Sequence, residues 1–204
     1  GFLNFKFKES FWENFLFTAI KEKEKFGSKI DKKKKYNVEF VSANPTGPLH
    51  VGHCRGAVLG DAISNILKFN GNEVVREYYV NDYGNQVDNF TKSVFFRIKE
   101  ILNNETFPEN QKDLYPGQYV VDIAKNIVQQ KKIKDFKNLE KIFENLKKIS
   151  IEESIKLIKK NLELLGIKHD LFVYESKLVE EKRVEKTIEK LKKKNFVYSG
   201  KIEA

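Results

Sequence analysis

Hydrophobic and polar positions change their period several times along the chain. Residues 1–9, Gly-Phe-Leu-Asn-Phe-Lys-Phe-Lys-Glu, alternate apolar and polar side chains, the period of a half-buried strand. A short helix is expected next, capped by Ser10, with Phe11, Phe15 and Ile20 on one face and Phe26-Gly27-Ser28 ending it. Residues 37–43, Asn-Val-Glu-Phe-Val-Ser-Ala, read as a buried strand, stopped by the prolines and glycine of Asn44-Pro45-Thr46-Gly47-Pro48. From Gly52 to Phe69, Leu59, Ile63, Ile66 and Leu67 recur at helical spacing, and Asn70-Gly71 closes the helix. Val74 to Val80, rich in β-branched and aromatic residues, is a second strand. A strand, a helix and a strand of these lengths predict a βαβ unit with parallel strands and a right-handed crossover.

Beyond about residue 90 the pattern becomes helical. Tyr119 to Gln130, Leu139 to Leu165 and Leu178 to Lys194 carry amphipathic periodicity, and a loop from Glu105 to Gly117 precedes them. A short strand at Leu171 to Tyr174 and a hairpin at Phe196-Val197-Tyr198-Ser199-Gly200-Lys201-Ile202 are expected near the end. No internal repeat or low-complexity tract is present.

Composition supports a folded chain. Of 204 residues 40% are hydrophobic, including 17 Phe and 8 Tyr, enough apolar surface to offset chain entropy. The net charge of +9 raises nucleic-acid binding. The basic residues are mostly lysines interleaved with glutamates, however, so a solvated surface accounts for most of them. The runs Lys32 to Lys35 and Lys192 to Lys194 remain candidate phosphate contacts. Cys54 is the single cysteine, which excludes an intrachain disulfide and makes the cytoplasm the default location. No apolar run approaches the ~20 residues that span a bilayer, so no membrane role is expected. With no methionine, the chain lacks an initiator residue and reads as a piece of something longer.

Candidate chemistry gathers where the first strand meets the helix. In a parallel α/β unit, ligands bind at the carboxyl ends of the strands, against the N-terminus of the following helix. There, His50-Val51-Gly52-His53 opens the helix, where free N–H groups and the helix dipole attract phosphate. Each imidazole can donate to a phosphate oxygen, and Gly52, lacking a Cβ, admits a nucleotide close to the backbone. Donors prepositioned around the α-phosphate of ATP would stabilise charge that grows as a carboxylate attacks it. The blander reading, two ordinary helix-start histidines, stands beside this one.

Over Val38-Glu39-Phe40-Val41-Ser42-Ala43-Asn44-Pro45-Thr46-Gly47-Pro48-Leu49-His50-Val51-Gly52-His53-Cys54-Arg55-Gly56 the chain resembles the signature region of bacterial arginyl-tRNA synthetases, class I enzymes with a His-x-Gly-His motif. Tyr78-Tyr79-Val80-Asn81-Asp82-Tyr83-Gly84-Asn85-Gln86 is similar to the family's next block. Weaker echoes lie at Leu114 to Gly117, Leu165 to Asp170 and Gly1 to Phe7. The resemblance implies a Rossmann-like α/β fold with a parallel sheet of the class I synthetase type and a mainly helical insertion. Residues 1–30 would end an N-terminal domain and its linker, 31–90 would form the first half of the catalytic domain, and 91–204 the insertion.

On the same resemblance, His50, Gly52 and His53 match the ATP motif, with Thr46 as a further nucleotide contact. Asn44 matches a position contacting substrate arginine, and Glu39 an acidic position of the guanidinium pocket, with Ser42 beside them. A carboxylate offers two oxygens in a plane to the guanidinium fork. Glu39 can also be read as a strand carboxylate paired with one of Lys32 to Lys35. Asp82 and Gln86 either face the crevice or serve the turns Asn81-Asp82 and Gly84-Asn85. His169 and Cys54 read as structural. The implied reaction is arginine–tRNA ligation, with ATP and Mg2+, L-arginine and tRNA(Arg) as partners and no tightly bound metal. The second class I signature, a Lys-Met-Ser-Lys-Ser-like loop, is not in the sequence, so this stretch alone is not expected to aminoacylate. A small nucleotidyltransferase sharing the histidine motif is one rival reading, and a non-catalytic basic RNA-binding module is another.

Overall fold

A computed structural model describes residues 1–28, 32–108, 110–131, 133, 135–198 and 200. Helix α1 (Glu9–Glu22) and a single 3-10 turn (Lys23–Lys25) come first. Strand β1 (Lys35–Glu39), helix α2 (Val51–Phe69) and strand β2 (Glu73–Val80) follow. Next come α3 (Asn85–Asn103), α4 (Gln118–Gln130), α5 (Leu139–Leu164), β3 (Leu171–Tyr174), α6 (Glu175–Glu180) and α7 (Arg183–Lys193).

The sheet has order β1-β2-β3 and is parallel throughout, with Lys35 opposite Glu73 in the first pair and Glu77 opposite Leu171 in the second. The βαβ expectation holds. The helical region also returns a strand to the sheet, because β3 continues it on the far side of β2. The core lies between sheet and helices: Val87, Phe90, Val94 and Ile98 of α3 meet Val120, Ile123 and Ile127 of α4 and Leu146, Ile155 and Ile158 of α5. That stripe, at helical spacing on all three, is what the amphipathic pattern encodes.

Several expectations change. Residues 1–8 form no strand and are exposed, since an alternating segment needs a partner edge for its backbone groups. The N-cap of α1 is Lys8 rather than Ser10, and no residue of this helix is buried. Phe11 and Phe15 stack with ring centroids 6.3 Å apart, within an aromatic group that also holds Phe7, Trp12 and Phe26. The helix expected from Leu178 to Lys194 is broken at Lys182, whose φ of 53° is left-handed, giving α6 and α7. Phe196 to Tyr198 are not in a strand; Ser199, Lys201 and Ile202 of the expected hairpin lie outside the described residues.

The buried side of α2 is not the expected one. Leu59 and Ile66 are 60% and 61% exposed, while Ala57, Gly60 and Ser64 are buried. Small residues let this helix sit close upon the end of β1: a Cβ at Gly60 would lie 2.2 Å from Cγ and 2.5 Å from Cβ of Phe40. Gly60→Ala should therefore destabilise the full-length protein by about 1–3 kcal/mol through overpacking, outweighing the roughly 1 kcal/mol that alanine gains in helix propensity. A lowered thermal midpoint is the expected reading, and a raised one would show that the helix can back away.

Candidate functional site

The site is built on the connection from β1 to α2. β1 stops at Glu39, four residues before the expected Ala43, because Val41 and Ser42 have φ of 69° and 41°. Left-handed backbone cannot continue a ladder, and for a β-branched residue it is an outlier. Side chains hold the turn. The Ser42 hydroxyl donates to Glu39 Oε1 at 2.8 Å and accepts the Tyr79 N–H at 3.0 Å. The Tyr78 hydroxyl donates to the Ala43 carbonyl at 2.8 Å, and the Tyr119 hydroxyl to the Thr46 carbonyl at 2.9 Å. The Leu49 N–H donates to Asn161 Oδ1 at 3.3 Å. Burial raises both phenols, Tyr119 to about 12, so they are donors at neutral pH.

His50 is the N-cap of α2, and its Nδ1 accepts the Gly52 N–H at 3.1 Å. His53 returns the favour one turn on, its Nδ1 accepting the His50 N–H at 3.3 Å. The two rings stack with centroids 3.7 Å apart. A nitrogen that accepts carries no proton, so in the neutral rings the proton sits on Nε2 and both are pointed donors. Burial first, and His50 second, hold the His53 pKa below the ordinary imidazole value, which favours that neutral form. Gly52 has a further use here: a Cβ on it would stand 2.9 Å from His50 Cε1, so glycine lets the ring fold over the first turn.

Asn44 and Gln86 are brought together, Asn44 Nδ2 donating to Gln86 Oε1 at 2.7 Å. Glu39 and Ser42 form their own pair, while Lys33 and Lys35 turn to Glu73 instead. Thr46 is buried at 9% exposure, beneath the loop. Asp82 belongs to another neighbourhood: its two oxygens accept the N–H and hydroxyl of Ser176 at 2.9 and 2.6 Å. With its amide oriented to suit its neighbours, Asn81 donates to Glu175 Oε2 at 2.8 Å. Desolvation and then Glu175 raise the Tyr79 phenol, at the carboxyl ends of β2 and β3. A cavity of about 500 Å3 includes Asp82, Lys147, Ile151 and Tyr174, but none of Glu39, Asn44, Gly52 or the paired histidines lines it.

Tyr78, Tyr119, Asn161 and Ser176 are residues that sequence reasoning missed. A phenol on a core position of a strand or helix is a usable signal, since a buried hydroxyl seeks a partner, but the partner's address is not written locally.

The sequence profile of tRNA synthetases class I (R), catalytic domain, matches residues 16–201. The chain belongs to that family. A curated arginine–tRNA ligase of Pelagibacter ubique is 58% identical over the whole of this chain, which spans 36% of the relative. One from Ehrlichia ruminantium (strain Gardel) is 42% identical, with 35% of its length covered. The chain thus spans about a third of the curated relatives it matches. A solved Campylobacter jejuni structure, provisionally assigned as an arginyl-tRNA synthetase, superposes with a TM-score of 0.84 at 33% identity, over 96% of this chain and 42% of that one. Thermus thermophilus arginyl-tRNA synthetase, 23% identical with a TM-score of 0.55, shares the fold, over 89% of this chain and 30% of that one. A family match that runs through both the histidine motif and the helical region favours neither rival reading.

Proposed function

We propose that this chain is part of an arginine–tRNA ligase that activates L-arginine with ATP and transfers it to tRNA(Arg). The observation that carries the reading is the histidine pair, whose Nδ1 atoms accept backbone N–H groups and leave Nε2–H free to meet a phosphate. On this reading ATP lies at the start of α2 against His50, Gly52 and His53, with Thr46 supporting the loop. Donors held there before the reaction stabilise charge developing at the α-phosphate without reorganising. Glu39, with Ser42, takes the guanidinium, while Asn44 and Gln86 orient the polar groups of the amino acid. Asp82 shapes the end of β2.

Among the described residues no group of three or more His, Cys, Asp or Glu side chains is arranged to hold a metal ion. On this reading Mg2+ arrives on the triphosphate, as it commonly does. Residues 1–30 are assigned to the end of an N-terminal domain and linker, 31–90 to the first half of the catalytic domain and 91–204 to its insertion. No described helix is long and apolar enough to cross a membrane, and a cytoplasmic location is part of the same proposal.

The test is arginine-dependent ATP–pyrophosphate exchange by the full-length protein in the presence of tRNA(Arg). Exchange is expected with arginine and not with lysine. Exchange that ignores the amino acid, or its absence with tRNA(Arg) supplied, rejects the reading.

A further inference from the structure

Val41 and Ser42 adopt left-handed backbone without glycine, a conformation that typically costs on the order of 1–3 kcal/mol per residue and lasts only where the surroundings over-determine it. The residue before them is the anchor. Phe40 donates its N–H to the Glu77 carbonyl at 3.2 Å, and its ring lies against the backbone of α2 at Gly60. Its carbonyl accepts two donors, the Ser42 N–H at 3.0 Å and His169 Nε2 at 3.2 Å. Glu77, Tyr78 and Tyr79, which bond residues 40, 43 and 42, all belong to β2. His169 comes from the connection between α5 and β3, 129 residues further along.

The imidazole is itself held on several sides. Its ring lies 4.2 Å from Phe40, meets Tyr78 edge-on at 5.3 Å and touches Phe172 at 5.9 Å, measured between centroids. Nδ1 is buried with no hydrogen-bond partner among the described residues, and Nε2 faces the carbonyl, so the neutral ring carries its proton on Nε2. Burial, ahead of all other influences, keeps the ring neutral at physiological pH.

We propose that His169 is a positioning residue for the nucleotide loop. Its Nε2–H fixes the Phe40 carbonyl and so the strained turn at Val41 and Ser42, which leads to Asn44 and on to the start of α2 where His50 and His53 stand. The inference rests on the functional reading above, and it assigns to His169 a part in the rate of adenylate formation without contact to either substrate.

The test uses the full-length enzyme. His169→Phe keeps an aromatic ring among Phe40, Tyr78 and Phe172 but removes the donor, whereas His169→Gln restores an N–H near the Nε2 position and loses the ring. His169→Phe is expected to lower kcat for pyrophosphate exchange by about five- to thirtyfold, the range carried by one buried hydrogen bond, while its KM for tRNA stays unchanged. His169→Gln is expected to recover most of kcat. Hydrogen exchange at the Ser42 amide, which shares the Phe40 carbonyl, should be faster in His169→Phe and near the parent rate in His169→Gln.

A folded His169→Phe enzyme with parent kcat overturns the proposal. So does a folded His169→Gln enzyme no faster than His169→Phe, because packing alone would then explain the residue. Failure of both variants to fold assigns His169 to stability and overturns it as well. A parent protein without exchange activity rejects the functional reading instead, and unchanged Ser42 protection in a folded His169→Phe then rejects the positioning role separately.

Discussion

Alanine at His50 or at His53 in the full-length protein should slow arginyl-adenylate formation by about 30-fold to about 1,000-fold. The range is the roughly 2–4 kcal/mol lost with one prepositioned donor to developing charge, at about 1.4 kcal/mol for each tenfold. ATP binding should weaken much less, because a contact equally strong in ground and transition states would not speed the chemical step. Both histidines also serve the capping box of α2, His50 accepting the Gly52 N–H and His53 the His50 N–H, so either loss should cost about 1 kcal/mol of stability on top. Pre-steady-state adenylate formation, with thermal melting alongside, separates these quantities. A well-folded double-alanine enzyme that forms adenylate at the parent rate rejects the catalytic role.

Glu39→Gln should raise KM for arginine by about 10-fold to about 100-fold, the span of a charge-assisted hydrogen bond, and leave KM for ATP within about threefold. Glutamine keeps the oxygen that accepts the Ser42 hydroxyl, so the turn behind it stays in place and the missing charge is what is measured. Matching rises in both constants would point to damage of the strand end instead.

The sequence made the βαβ unit legible because its strands and crossover helix are local patterns bounded by strong breakers at Asn44 to Pro48 and Asn70-Gly71. The histidine motif was legible as a candidate for the same reason: it sits at a strand-to-helix junction that can be placed from periodicity. The packed face of α2 was not, since counting large apolar residues selects Leu59, Ile63 and Ile66, while close approach to Phe40 selects Ala57, Gly60 and Ser64. Neither was the end of β1. Val41 is a strong strand former and Ser42 is no breaker, and the partners that hold the left-handed turn include distant ones on β2. Glu39 could be read as a ligand or as a lysine's partner, and in the structure Lys33 and Lys35 pair with Glu73 while its Oε1 accepts the Ser42 hydroxyl. The break at Lys182 carries no sequence breaker at all, and α6 and α7 simply read as one amphipathic run.

The supports of the loop also set an order of events during synthesis. Tyr119 reaches Thr46 across 73 residues, Asn161 reaches Leu49 across 112, and His169 reaches Phe40 across 129. Closing such long loops costs chain entropy that no nearby contact returns, so these bonds form late. While the ribosome is still making α5, β1, α2 and β2 can already pair, but the segment between them lacks its last clamp. The loop acquires its final shape only once residue 169 has emerged, so on the proposed reading the nascent chain has no finished nucleotide site before β3 is made.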